Sequence, residues 1–364
     1  MLVKKQQASF NVPLPLDGGG QLSAFELAFE LTGRLNRRRD NAILVCHALS
    51  SDAHVAGQYK RADTRSGWWD AAIGPGKMFD TRRFCVMCSA VIGGGGGSTG
   101  PGSVDPATGR PFGLRFPVVT IADMVRAQQR LTDRLGIRRF YAVVGGCMGG
   151  FQVLRWMVDY PDQLSRAILI GTSARTSAHT LACNAVIRSA VQSDPCWAGG
   201  DYYGRAYPEQ GMALAARIGS LVWMNRGGLE EKYGRRLRVP GPVQYGFEPE
   251  FEAEWLMRRV AEGSRGRFDP NALLYLTRAM DYFDLTAGGR SLRAVFKAAH
   301  CKTLSVSYAS DWRYPPSDAQ EITAALCANK LAARHVTLES AFGHGAFLFD
   351  LQNLSPCVVD FLVS

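Results

Sequence analysis

No run in this chain approaches about 18 consecutive apolar residues, so an ordinary membrane-spanning helix is excluded. The start, Met1-Leu2-Val3-Lys4-Lys5-Gln6-Gln7, lacks the apolar core of a secretion signal. A cytoplasmic location without a membrane partner is the expectation. The nine cysteines are an odd number and show no framework spacing, which argues for reduced thiols rather than a disulfide scaffold. Cys85-Val86-Met87-Cys88 matches C-x-x-C, but no second pair and no histidine at ligand spacing accompany it. It lies inside the apolar run Phe84–Ile92 and reads as part of a strand, so no metal site is expected. Acidic residues are short relative to basic ones, 32 against 42, leaving a formal charge of +10. The excess sits in arginine clusters such as Arg37-Arg38-Arg39, Arg138-Arg139 and Arg235-Arg236. Such a charge can attract an anionic ligand such as coenzyme A. No helix-turn-helix, zinc-finger or RNA-binding signature accompanies it, so nucleic acid is not an expected partner. Internal repeats and long low-complexity tracts are also missing.

What is present is an alternation of strand-like and helix-like segments, the pattern of a mostly parallel sheet flanked by helices. Phe25–Gly33 predicts an early strand. Asn41–Ala48 and Phe84–Val91 are continuous apolar runs, as strands buried on both faces require. Apolar residues at helical spacing (Ile121, Met124, Val125, Leu131, Leu135) predict a helix over Thr120–Leu135, capped by Thr120. A strand over Phe140–Val144, a helix over Phe151–Asp159 and a strand over Arg166–Ile170 follow. From about Ser173 to Arg290 strand-like runs vanish and helical, Arg/Gly/Tyr/Trp-rich segments replace them. The alternation returns with a strand at Thr303–Tyr308, a helix at Ser317–Ala328, a strand at Arg334–Leu338 and a last helix near Ala346–Val363. The division expected is a core of residues 1–172 and 291–364 interrupted by a helical lid over 173–290, placed over the strand ends where ligands bind.

Between the strand and helix around residue 145 the chain reads Gly145-Gly146-Cys147-Met148-Gly149-Gly150. This is the G-x-S-x-G nucleophile elbow with cysteine in place of serine. A sharp strand-to-helix turn needs small residues two before and two after the nucleophile, and Gly145 and Gly149 stand there. The next backbone N–H, from Met148, can face an oxyanion at the helix N-terminus. A buried free cysteine on a Gly-rich turn is the competing reading of these residues alone.

An elbow of this kind predicts an acid and then a histidine later in the chain. Asp311 follows the strand Thr303–Tyr308, in a loop position suited to orienting an imidazole. His344, in Phe342-Gly343-His344-Gly345, follows the strand Arg334–Leu338. The other histidines fit less well: His47 and His54 precede the nucleophile, His179 lies in the helical segment, His300 precedes a strand and His335 is on one. A thiolate is the reactive form of cysteine, and an adjacent imidazole can hold or generate it. An acyl-cysteine is a thioester, close in energy to an acyl-coenzyme A, and transfer onward to an alcohol is downhill.

These residues resemble the homoserine O-acetyltransferase family of α/β-hydrolase enzymes over nearly the whole chain. The resemblance is carried by Asn41-Ala42-Ile43-Leu44-Val45-Cys46-His47-Ala48-Leu49 with Ser51-Asp52-Ala53-His54-Val55-Ala56-Gly57. Gly67-Trp68-Trp69-Asp70, Ile73-Gly74-Pro75-Gly76-Lys77, Ser98-Thr99-Gly100-Pro101, Phe116-Pro117-Val118-Val119-Thr120-Ile121 and Leu276–Asp284 continue it. It implies an α/β-hydrolase fold and a ping-pong acyl transfer with no bound cofactor. Acyl-coenzyme A, with acetyl as the expected group, would acylate Cys147. A small hydroxyl-bearing acceptor would then take the acyl group with His344 as base. It further implies Leu49 and Met148 as the two oxyanion donors, a lid that helps form a tunnel, and a homodimer.

Three departures from that family stand out. The nucleophile is Cys147 where the family has serine. Gly345 follows the histidine where the family has an aspartate thought to hold the acceptor's ammonium. In the lid the family has an arginine and a tyrosine seven residues apart. Arg217 is matched to the arginine, whose fork can grip a carboxylate, but position 224 is Met224. The acceptor expected is therefore homoserine, serine or a related amino-acid-like alcohol, not L-homoserine held in the usual way. The alternative enzyme is a cysteine-dependent hydrolase, thioesterase or amidase, that uses water. A former enzyme retained as a binding subunit is a third reading, opposed by the intact Cys147, Asp311 and His344 set.

Overall fold

The computed structural model describes residues 1–364. Eight strands form one sheet: β1 Gln6–Phe10, β2 Phe25–Thr32, β3 Ala42–Cys46, β4 Cys85–Ser89, β5 Ala142–Gly146, β6 Arg166–Ile170, β7 Lys302–Tyr308 and β8 Ala333–Leu338. Their order across the sheet is β1-β2-β4-β3-β5-β6-β7-β8. The β1–β2 and β2–β4 pairings are antiparallel and all the others parallel. Every residue of β3, β4 and β5 is buried, as strands covered on both faces must be. Cys85 and Cys88 are three apart on β4, so they point to opposite faces and cannot share a ligand.

The helices α1 Ile121–Arg134, α2 Met148–Asp159, α8 Pro316–Ala328 and α9 Leu351–Val363 belong to the layers around this sheet. Thr120 caps α1 with a reciprocal box, its side chain accepting from Asp123 N–H while Asp123 accepts from Thr120 N–H. Between β6 and β7 lie α3 Ala178–Gln192, α4 Glu209–Trp223, α5 Arg226–Lys232, α6 Glu252–Ser264 and α7 Pro270–Asp281. Within this insertion α3 packs on α4 and α7, and α4 packs on α6.

Three differences from the sequence reading have local causes. The elbow strand runs through Gly145 and Gly146, because both pair with β6, opposite Leu169 and Ile170. Helix α2 therefore starts at Met148, three residues earlier than periodicity predicts. The final helical segment breaks at Asp350 into Ala346–Phe349 and α9, bent by 68°. No single helix is long and apolar enough to cross a membrane.

The strand order reverses around β3, with β4 on one side and β5 on the other. The loops leaving β3 and β5 therefore face one another across a crevice at the strand ends, the usual ligand position in such sheets.

Candidate active site

Cys147 sits in the turn between β5 and α2 with φ 56° and ψ −125°, a conformation an L-residue adopts only when its surroundings impose it. Those surroundings are tight. A Cβ on Gly145 would come within 2.4 Å of the Gly149 carbonyl, and one on Gly149 within 2.1 Å of the Cys46 carbonyl oxygen. The Cys147 N–H donates to the carbonyls of Ile170 (3.1 Å) and Gly171 (3.2 Å), and its own carbonyl accepts the Thr172 hydroxyl at 3.0 Å.

The structure brings Asp311 and His344 to this turn from the ends of β7 and β8. His344 Nδ1 and Asp311 Oδ2 are 2.7 Å apart, and the other carboxylate oxygen accepts the backbone N–H groups of Arg313 and Tyr314, each at 3.0 Å. All three side chains are buried. His344 is flanked by the rings of Tyr314 and Phe347. Its Nε2 is buried with no hydrogen-bond partner of standard geometry, and it is directed at the Cys147 thiol.

Burial pushes a thiol's pKa up, and it does so for Cys46 and Cys88. Burial acts the same way on Cys147, but the His344 charge and hydrogen bond, the Arg313 charge and the Met148 N–H outweigh it and lower the pKa. His344 moves the other way: burial disfavours its charged form, but Asp311 and Cys147 overcome this and raise it. Each side chain thus favours the charged form of the other. A low-pKa thiol on an elbow, beside a carboxylate-braced imidazole, can attack an acyl carbon and hold the acyl group as a thioester.

Leu49 and Met148 lie on the two facing loops, and neither backbone N–H donates to a backbone oxygen. The Met148 N–H is turned on the Cys147 sulfur. A buried chain that sequence reasoning does not see braces the Leu49 loop. Trp156 Nε1 donates to Gln128 (3.0 Å), Gln128 to Gln152 (2.8 Å), and Gln152 to the His47 carbonyl (3.1 Å). Burial holds His47 neutral, with Nδ1 donating to the Ala48 carbonyl (2.8 Å) and Nε2 accepting the Val91 N–H (3.1 Å).

The three remaining residues fare differently. Arg217 packs against α6: its Nε donates to the Met257 carbonyl at 3.2 Å, and it lines a cleft with Glu209, Arg258, Glu262 and Arg265. The spacing along α4 alone could not reveal that this face packs on α6. Met224 ends α4 beside the His344 turn, its carbonyl accepting the Trp312 indole N–H at 2.9 Å. At Gly345 a Cβ would meet the Trp223 ring at 2.6 Å, so the indole fills the space an acidic side chain would use. No group of three or more His, Cys, Asp or Glu side chains is placed to hold a metal.

A strained residue between strand and helix, with acid and histidine delivered by later strands of a mostly parallel sheet, defines an α/β hydrolase. Residues 41–351 match the family described as alpha/beta hydrolase fold. The chain is 46% identical to a homoserine O-acetyltransferase of Methanosalsum zhilinae over 96% of its own length and 70% of that protein's. The crystal structure of a homoserine O-acetyltransferase from Bacillus anthracis superposes with a TM-score of 0.92, covering 100% of this chain and 98% of that one at 29% identity. Esterase E22 superposes with a TM-score of 0.88 over 99% and 100% of the two chains, also at 29% identity. The chain belongs to the homoserine O-acetyltransferase family, and it is an acyltransferase.

Proposed function

We propose that this protein moves an acyl group, acetyl in the first instance, from a coenzyme A thioester to the hydroxyl of a small amino-acid-like acceptor through an acyl-Cys147 intermediate. The observation that carries this reading is the placement of Cys147 on the turn between β5 and α2 at φ 56°, with His344 braced by Asp311 at 2.7 Å, an environment that lowers its thiol pKa where burial raises that of Cys46. In the first half-reaction the Cys147 thiolate attacks the acyl carbon. The oxyanion accepts hydrogen bonds from Leu49 and Met148 N–H. The C–S bond to coenzyme A then breaks, and the leaving thiolate takes the proton from His344 Nε2. In the second, the acceptor hydroxyl gives its proton to the now neutral Nε2 as its oxygen attacks the thioester. The bond to Cys147 breaks, and thiolate and imidazolium are restored. Asp311 holds the ring orientation throughout.

The acceptor in this reading is not L-homoserine held through an aspartate and a lid hydroxyl. The Trp223 indole against Gly345 and the turn of Arg217 toward α6 support this. The inserted helices act as a lid. Exposed Leu181 and Val186 on α3, and Leu214 and Leu221 on α4, are apolar surface that a second copy would cover in a homodimer.

Intact mass after incubation with acetyl-coenzyme A tests the mechanism. The expected result is one acetyl adduct, lost in Cys147→Ala and discharged faster by an amino alcohol than by water. The fold shared with esterase E22 favours one other reading, in which water is the acceptor. Rapid discharge by water alone selects it, and no adduct with a folded protein defeats both.

A further inference from the structure

Arg313 lies two residues beyond Asp311 and is only 6% exposed. A guanidinium so buried ordinarily has a carboxylate partner. Arg313 has none. One Nη donates to the neutral amide oxygen of Asn184 at 3.4 Å, a long bond, and the buried Nε has no partner. The nearest acid along that path is already taken: Asp281 pairs with Arg188 at 2.7 Å and accepts the Asn184 amide at 2.9 Å. The Arg313 guanidinium lies 5.6 Å from the centre of the Tyr314 ring, which is itself 5.0 Å from the His344 ring. Tyr314, Cys147 and Cys183 all favour its charge, which therefore sits against the reaction centre.

The remaining charges make this lopsided. Both Asp311 oxygens are engaged, by His344 and by two backbone N–H groups. The space at Gly345 is filled by Trp223. The site therefore offers a buried cation that has no carboxylate partner. In the resting enzyme the Cys147 thiolate faces that cation, but acylation turns the thiolate into a neutral thioester. From that moment Arg313 stands beside the acyl group with no anion opposite it.

Building on the acyl-Cys147 reading, we propose that Arg313 binds a substrate carboxylate next to the thioester, making this pocket selective for an anionic rather than a cationic substrate group. Two substrates can bring that carboxylate: a dicarboxylic acyl group such as succinyl, carried on Cys147, or the carboxylate of the hydroxyl-bearing acceptor.

The test compares the full-length protein with Arg313→Leu and Arg313→Lys, using charged and neutral substrates side by side. One arm follows acylation of Cys147 by succinyl-coenzyme A and by butyryl-coenzyme A. The other follows discharge of the acyl-enzyme by L-serine or L-homoserine and by 2-aminoethanol or 3-aminopropan-1-ol, which lack the carboxylate. Loss of a charge-assisted bond at a desolvated site predicts about a 10–100-fold loss in one arm for the charged substrate. The neutral analogue is expected to change little, with partial rescue by lysine. A loss confined to the succinyl arm assigns the carboxylate to the acyl group, and one confined to the amino-acid arm assigns it to the acceptor. Turnover of the neutral analogue reports that the variant is folded. An equal effect on charged and neutral substrates means that Arg313 acts only through the thiol, and it overturns the proposal while leaving acyl transfer intact. Absence of any adduct in the unaltered protein defeats the acyl-Cys147 reading and this proposal with it.

Discussion

Trp223 and Gly345 are locked together: a Cβ added at 345 would lie 2.6 Å from the indole. The residue after the histidine cannot grow while the tryptophan stays. Gly345→Asp by itself is expected to destabilise the protein by about 1–3 kcal/mol, the usual range for overpacking. It should not improve use of amine-bearing acceptors. Combined with Trp223→Ala, the carboxylate gains room, and the KM for L-homoserine should fall relative to the single variant. Denaturant unfolding and steady-state kinetics check both halves. A Gly345→Asp protein as stable as its parent would falsify the packing argument.

The Cys147 thiol titrates below an ordinary thiol. With the pKa lowered, the thiolate persists at pH values where a free cysteine is protonated, and it is lost only as pH falls through the lowered value. Alkylation by iodoacetamide, followed by peptide mapping, should show a Cys147 midpoint below that of a free cysteine peptide titrated alongside. His344→Ala removes the largest lowering influence and should move the Cys147 midpoint up. A midpoint indifferent to His344 would mean that the imidazole does not ionise the thiol.

The parallel strands were legible because strands buried on both faces leave continuous apolar runs, as in Ala42–Cys46. Cys147 and Asp311 were legible because each follows a largely buried strand, and His344 because it follows the last strand in the required order, although that strand, Ala333–Leu338, is only half-buried. The edge strand Gln6–Phe10 was not: only Ala8 of it is buried, so it carries little periodic signal. Arg217 and Arg313 show the other limit. Both are single arginines in unremarkable context, and only tertiary packing turns one toward α6 and closes Asn184 and Tyr314 over the other. The glutamine chain behind His47 joins residues far apart in sequence, so no local pattern announces it.

That glutamine chain sets a third expectation. Gln152→Leu keeps volume but leaves the His47 carbonyl and the Gln128 amide without partners in a dry interior. Orphaned buried groups cost about 1–3 kcal/mol each at most sites. Stability should drop by that order. Because His47 precedes the loop bearing Leu49, acylation of Cys147 should also slow. Denaturant unfolding and a single-turnover mass assay read the two effects, and an unchanged acylation rate would detach the network from the oxyanion loop.

Cys147→Ser separates an ion-pair mechanism from a general-base one. A serine hydroxyl does not ionise near neutrality, so the variant needs a neutral His344 to take its proton. Replacing the thiolate removes one of the two charges that raise the His344 pKa, but Asp311, 2.7 Å away, still raises it. Burial opposes that rise, so the neutral imidazole the variant needs is a fraction that grows as pH rises. Acylation of the serine variant should be slower at neutral pH by about 10²–10⁴-fold, the usual share of proton transfer in such sites. Its rate should climb with pH to a higher midpoint than that of the cysteine enzyme, which needs only the lowered thiol to ionise. Single-turnover acylation by acetyl-coenzyme A across pH gives both curves. Coincident profiles would show that the cysteine enzyme also waits for a neutral histidine, and that its resting state is thiol and imidazole rather than the ion pair.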